Sequence, residues 1–321
     1  MIFLSSAFLF SCHNVSSEAN ENKSSTNSSS IKIPEFSGDS AYAYVAKQVS
    51  FGPRIPNTLA QEQCATWLFE KLKSFTPNVE IQETNVTGYD GTKLKCKNII
   101  ATINPENHNR IAIFSHWDTR PWADEDTSKI YHSRPFDGAN DGPSGVGVIL
   151  ELARQMIHEK PEIGVTLVLL DVEDYGVSGD ENSYCLGTQY WAAHFDKSKG
   201  IPQYGILLDM VGAPNSRFMF EAGSIRYARP VLEKVWKEAA SLGYQQYFIP
   251  NETGGVTDDH VFINGIAQIP TIDIIDYDAM RNGGFGYYWH THYDNMKVVD
   301  KGVLKSVGQT LLNVIFKEGK L

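Results

Sequence analysis

Apolar residues in this chain fall into short runs separated by polar turns. "RIAIFSH" (110–116), "GVTLVLLD" (164–171), "YGILLDMVG" (204–212) and "IPTIDIID" (269–276) have strand length and are rich in Ile, Val and Leu. "GVTLVLLD" shows no polar alternation, which predicts a strand covered on both faces. "KNIIATI" (97–103) is a further strand-like run, divided from "RIAIFSH" by the turn-like "NPENHN". Longer segments with apolar positions at helical spacing alternate with these runs. Leu59, Cys64, Trp67, Leu68 and Leu72 predict a helix after Pro56. "SGVGVILELARQMI" (144–157), "RPVLEKVWKEAASLG" (229–243, ending on glycine) and "KGVLKSVGQTLLNVIFKEG" (301–319) predict three more. Strands alternating with helices imply an α/β sheet covered on both faces.

The strand-like runs end in residues that carry chemistry. They deliver His116 and Asp118; Asp171 with Glu173 and Asp174; Asp209; and Asp273 with Asp276. Open α/β sheets bind ligands at the carboxyl ends of their strands. One aspartate after a strand is an ordinary helix cap or turn residue. Several acidic groups and a histidine at successive strand ends predict a site on one rim.

Composition alters this picture at the N-terminus. "MIFLSSAFLFSC" is apolar but too short to span a bilayer. It reads as a signal-peptide core over residues 1–11, and "LFSC" has the form of a lipobox that acylates Cys12. Residues 12–30 are rich in Ser, Asn and Glu and read as a disordered tether, leaving 31–321 as one catalytic domain. The expectation is an exported, periplasmic protein held to the membrane by a lipid on Cys12. The net charge of −10 argues against a nucleic-acid partner. Export would allow a disulfide between two of Cys64, Cys96 and Cys185, and the spacing selects no pair. None sits in a C-x-x-C arrangement, which argues against a thiolate zinc site. No feature demands more than a monomer.

Three segments concentrate the candidate chemistry. "FDGANDGPSGVGV" places Asp141 just ahead of a helix, where the plain reading is an N-cap. "LLDVEDYG" delivers adjacent carboxylates, Glu173 and Asp174, from a hydrophobic strand. One can bind a metal while the other faces substrate as acid or base. "WHTHYDN" offers His290 and His292, which lack the i, i+4 spacing of a helical zinc pair. Asp141, a carboxylate at 173–174 and His290 together would give two oxygens, one nitrogen and an open position, which suits a catalytic zinc.

"FSHWDTRPWADED" (114–126), "DGANDGPSGVGVILELAR" (137–154), "LLDVEDYG", "LLDMVGAPN" (207–215), "TDDHVFINGI" (257–266) and "WHTHYDN" occur in the order found in the zinc aminopeptidase clan. In detail, over roughly 40–315, the chain resembles the clan's cyclising branch. These are the animal-type (type II) glutaminyl-peptide cyclotransferases and their bacterial relatives. "LLDMVGAPN", "DDH" and the tryptophan directly before His290 are the most specific elements.

The resemblance implies a zinc aminopeptidase-like fold: a single-domain α/β/α sandwich with a mixed, mostly parallel central sheet. It implies one zinc per chain, held by Asp141, Asp174 and His290, with Glu173 as general acid/base. Asp209 and Asp258 match carboxylates of the active-site hydrogen-bond network, and Trp289 and Phe285 match the aromatic wall of the substrate pocket. His116 and His260 stand as supporting residues. The implied reaction closes an N-terminal glutamine of peptides or proteins to pyroglutamate and releases ammonia. Two departures from the animal pattern are Asp174 in place of glutamate and Asp273 in place of a late-strand histidine. The competing reading is a two-zinc aminopeptidase, in which His116 and Asp209 would hold the second metal.

Overall fold

The uninterrupted apolar runs form the buried centre of a six-stranded sheet. The structure, a computed structural model, describes residues 32–318 and, before them, only positions 2, 4, 7 and 9. Cys12 and the tether therefore lie outside the described residues, as does most of the apolar run before them. Among the described residues no helix is long and apolar enough to cross a membrane.

In chain order the elements begin with α1 (Gly38–Val49), α2 (Leu59–Lys73), β1 (Val79–Thr87), β2 (Lys93–Ile103) and β3 (Arg110–His116). They continue with α3 (Pro143–His158), β4 (Gly164–Leu170), α4 (Leu186–Ala193), β5 (Gly205–Asp209) and β6 (Phe218–Phe220). The last are α5 (Ala222–Ser241), β7 (Phe248–Glu252), α6 (Asp259–Phe262), β8 (Thr271–Ile275) and α7 (Lys301–Glu318). The sheet order is β1-β2-β4-β3-β5-β8. β1, β2 and β4 pair antiparallel, whereas β4, β3, β5 and β8 run parallel. This is the mixed, mostly parallel sheet of an α/β fold. β6 and β7 form a separate parallel pair.

Every residue of β3, β4, β5 and β8 is buried, because helices cover both faces. On one face Ala112, Phe114, Val168, Leu170 and Leu207 pack against Trp191 of α4 and Ile263, just after α6. On the other, α3 lies against β3 and β5, so close that a Cβ on Gly145 would come within 2.4 Å of the Leu208 carbonyl oxygen. α1 and α7 pack against α3 in the same layer.

The structure departs from the pattern-based expectation in several places. β1 is an edge strand whose residues are half-buried or exposed, so no apolar run announces it. α5 starts seven residues before Arg229, because a kink at Ala228 (φ −147°, ψ 39°) joins a first segment to the part led by Pro230. Asp273 lies in the middle of β8, fully buried, rather than at a strand end. Cys64, Cys96 and Cys185 are all buried free thiols.

Candidate active site

The parallel strands deliver their carboxyl ends to one rim. Asp141 lies ahead of α3, but the cap position is Gly142 and no side chain caps the helix, so the Asp141 carboxyl is not committed there. Gly142 has φ +83°, and a Cβ on it would meet the His116 ring at 2.8 Å, so glycine is required. After β4 the chain turns through Val172 at φ +55°, an unfavourable conformation for a β-branched residue, and presents Glu173 and Asp174 in different directions. β5 ends on Asp209, α6 begins after Asp258, and His290 lies on an irregular loop at φ +51°. Strained backbone at a shared rim is a feature of functional sites.

Asp141, Asp174 and His290 each bring one donor atom to within 4.8 Å of the others, and all three are buried. His290 Nε2 is 3.3 Å from Asp174 Oδ1 and 3.6 Å from Asp141 Oδ2. Asp141 Oδ2 is buried without a hydrogen-bond partner. Two carboxylate oxygens and one imidazole nitrogen, with an Asp141 oxygen left orphaned, match the donor chemistry of catalytic zinc. A second group, His116, Asp141 and Asp209, likewise brings one donor atom from each residue to within 4.8 Å of the others. His116 Nε2 is 3.1 Å from Asp141 Oδ1 and 3.2 Å from Asp209 Oδ1.

Backbone hydrogen bonds from distant parts of the chain fix these ligands. Asp118 accepts from the Glu173 and Asp174 N–H groups at 3.1 and 3.2 Å. Asp294 accepts from Asn140 and Asp141 N–H at 2.7 and 3.1 Å. Arg120 contacts Asp174 Oδ1 at 3.4 Å and pairs with Asp124, whose carboxyl is 3.7 Å from His290 Nδ1. His292 pairs with Asp126 through both its backbone N–H and its ring, which pins the His290 loop to the 120–126 segment. Asp294, Arg120, Asp124 and Asp126 all sit inside segments singled out in the sequence, although no local signal marks their roles.

Glu173 lies beside the three-donor group and belongs to a separate cluster with Cys185 and Asp258. Its Oε1 accepts from the Cys185 thiol at 3.3 Å. Burial and the Asp174 charge raise its carboxyl well above the usual range, a shift that favours its holding and passing on a proton. Asp209 and Asp258 line the same pocket. Burial and the Asp209 carboxylate push Asp258 up to about 6. Phe285 stacks on Trp289 at 4.3 Å, and Trp289 on the His290 ring at 4.0 Å, forming an aromatic wall. His260 is fully buried behind the pocket rather than in its lining. Asp171 and Asp276 are not part of the site. Asp171 accepts from Gln61 and Lys97, and Asp276 from Tyr288, Arg281 and Arg217.

A mixed α/β sheet whose strand ends gather two carboxylates, a histidine and an adjacent acid defines a metal-dependent exopeptidase-like protein. The chain matches the model of peptidase family M28 over residues 98–315 and belongs to that family. Its solved relatives include the glutaminyl cyclase of Bacteroides thetaiotaomicron, solved bound to N-acetylhistamine. That protein is 47% identical, with 89% of this chain and 99% of that one covered and a TM-score of 0.86. A Zn-dependent exopeptidase from Parabacteroides distasonis is 48% identical over 89% of this chain and 99% of that one, with a TM-score of 0.87. The glutaminyl-peptide cyclotransferase of Dictyostelium discoideum is 23% identical over 265 residues, 74% of this chain and 68% of that protein.

Proposed function

We propose that this protein is a zinc-dependent glutaminyl cyclase that converts N-terminal glutamine of peptides or proteins to pyroglutamate and releases ammonia. The observation that carries the reading is Glu173, a half-buried acid of raised proton affinity beside a zinc-type ligand set and in one pocket with an aromatic wall. Its likeness to the Bacteroides thetaiotaomicron glutaminyl cyclase supports the same choice.

The nucleophile is the substrate's own α-amine, tethered to the γ-carbonyl carbon it attacks, so no hydroxide has to be generated. Asp141, Asp174 and His290 would hold the zinc, which when bound supplies Lewis-acid polarisation of the γ-carbonyl oxygen. Glu173 takes a proton from the α-amine and returns one to the leaving amide nitrogen. Asp209 and Asp258 accept hydrogen bonds around that exchange. Trp289 and Phe285 enclose the glutamine side chain and exclude water, which suppresses hydrolysis. One zinc per chain suffices for this chemistry. The His116–Asp141–Asp209 group is the specific observation that favours a two-zinc aminopeptidase instead.

Glu173→Gln tests both the role and the count. Ammonia release from a Gln-initiated dipeptide should fall by about 100-fold or more, while the protein keeps one zinc. Loss of zinc in that variant would make Glu173 a ligand, and two zincs in the parent enzyme would favour the aminopeptidase. We further propose export to the periplasm and anchoring through Cys12, as a monomer. The export and the anchor rest on the residue 1–12 pattern, and palmitate labelling unchanged by Cys12→Ser would contradict the anchor.

A further inference from the structure

From Asp258 a row of buried titratable groups runs inward behind the pocket wall, and beyond Asp258 the steps above leave it unused. Asp258 lines the pocket; Asp273 in β8, His260 in α6 and Glu221, which caps α5, continue inward and are fully buried. Single atoms of Asp258, His260 and Asp273 lie within 4.8 Å of one another. His260 Nδ1 is 3.7 Å from Asp273 Oδ2, and its Nε2 is 3.2 Å from Glu221 Oε2. Asp258 Oδ1 accepts from the Asp259 N–H at 2.5 Å. Asp258 Oδ2 and both oxygens of Asp273 have no hydrogen-bond donor unless one of the two carboxyls carries a proton. Two buried carboxyl groups in contact, with no lysine or arginine paired to either among the described residues and with a single histidine, His260, that is closer to Glu221 than to Asp273, do not both ionise.

We propose that Asp273 is a neutral carboxylic acid that donates a hydrogen bond to Asp258 Oδ2 and so positions an ionised Asp258 in the pocket. This rests on the cyclisation reading. The surroundings decide which carboxyl holds the proton. Asp258 has the Asp259 N–H and the open pocket, whereas Asp273 has neither and faces the Glu221 and Asp209 carboxylates. Burial, then Asp258, raise Asp273 well above the ordinary carboxyl range, and Asp258 rises only to about 6. His260 flanks Asp273 and pairs with Glu221, which is bonded to the Gly223 and Ser224 N–H groups, so the row is anchored in α5. Asp258 is also faced by Asp209 from β5, by His116 from β3 and by Glu173 and Cys185 from the turns around β4 and α4. Asp259, its neighbour, is engaged by the Thr188 hydroxyl at 2.6 Å.

Asp273→Asn keeps a donor facing Asp258, and Asp273→Leu removes it at similar volume. The asparagine variant should retain kcat for ammonia release within about threefold, because its amide replaces the acid O–H. The leucine variant should lose about tenfold or more in kcat, with KM and zinc content unchanged. Its acid limb in the kcat–pH profile should move up, by about one pH unit, because Asp258 without a donor to its charged form binds its proton more tightly. Equal losses in the two variants, or a leucine variant with lower kcat and an unmoved profile, would overturn the proposal in favour of a packing role. If the leucine variant does not fold, Asp273→Ala supplies the same comparison. Absence of ammonia release by the parent enzyme would overturn the cyclisation reading itself, so the two failures are distinguishable.

Discussion

At the scale of single residues, the site depends as much on groups that hold the ligand backbones as on the ligands. Asp118 and Asp294 each accept two backbone N–H groups, across separations of 55 to 56 and 153 to 154 residues. A carboxyl that accepts from two amides fixes where the next carboxyl points. Asp294→Ala should therefore weaken zinc binding by about 10–100-fold, read by competition with a chromogenic chelator. Unchanged affinity would mean that Asp141 is placed by the α3 turn alone. The sequence shows Asp141, Glu173, Asp174 and His290 as candidates because each stands beside a strand end, a glycine-rich turn or an aromatic cluster. It does not show the work of Asp294, Arg120 or Asp124, because their partners are backbone or side-chain atoms distant in the chain or across a loop. Spacing leaves the two histidines of "WHTHYDN" equivalent, and only the resemblance singles out His290 as the ligand and reads His292 as an orienting or surface group. The structure separates them: His290 joins Asp141 and Asp174, and His292 pairs with Asp126.

At the scale of elements, the buried parallel strands are legible because burial on both faces demands unbroken apolar runs. "RIAIFSH" coincides with β3, and "GVTLVLLD" runs one residue past β4. β1 is not legible, since an edge strand with alternating exposed polar residues resembles a loop in pattern. α4 is eight residues long, too short for helical periodicity to declare it. α5 shows how a proline hides a helix start: the pattern begins beside Pro230, while the true N-terminus is capped by Glu221. Glu221 is fully buried, and His260 and the Gly223 and Ser224 amides outweigh its burial and hold it down at about 2, below the reference 4.5. A carboxyl with depressed proton affinity in the fold contributes stability above its unfolded value and loses it as pH falls through the folded one. The Glu221 contribution should thus be complete above about pH 4.5 and disappear toward pH 2. Glu221→Gln should lower stability by about 1–2 kcal/mol at neutral pH and flatten the acid limb, measured by urea unfolding at several pH values. A parallel acid limb in both proteins would remove Glu221 from the acid response.

At the scale of the whole molecule, the fold and the family are established, and they admit two chemistries. The same rim carries a zinc-type group and a second three-donor group around His116. The relatives include both a glutaminyl cyclase and a Zn-dependent exopeptidase at nearly equal identity. What separates the chemistries is the fate of the first peptide bond. A cyclase leaves it intact and removes one ammonia from the side chain, whereas an aminopeptidase cuts it and frees the first residue. Mass spectrometry of a Gln-initiated peptide after incubation with the zinc-loaded protein reads this directly. One product is expected, the full-length peptide lighter by one ammonia. Free glutamine together with a peptide shortened by one residue would contradict it.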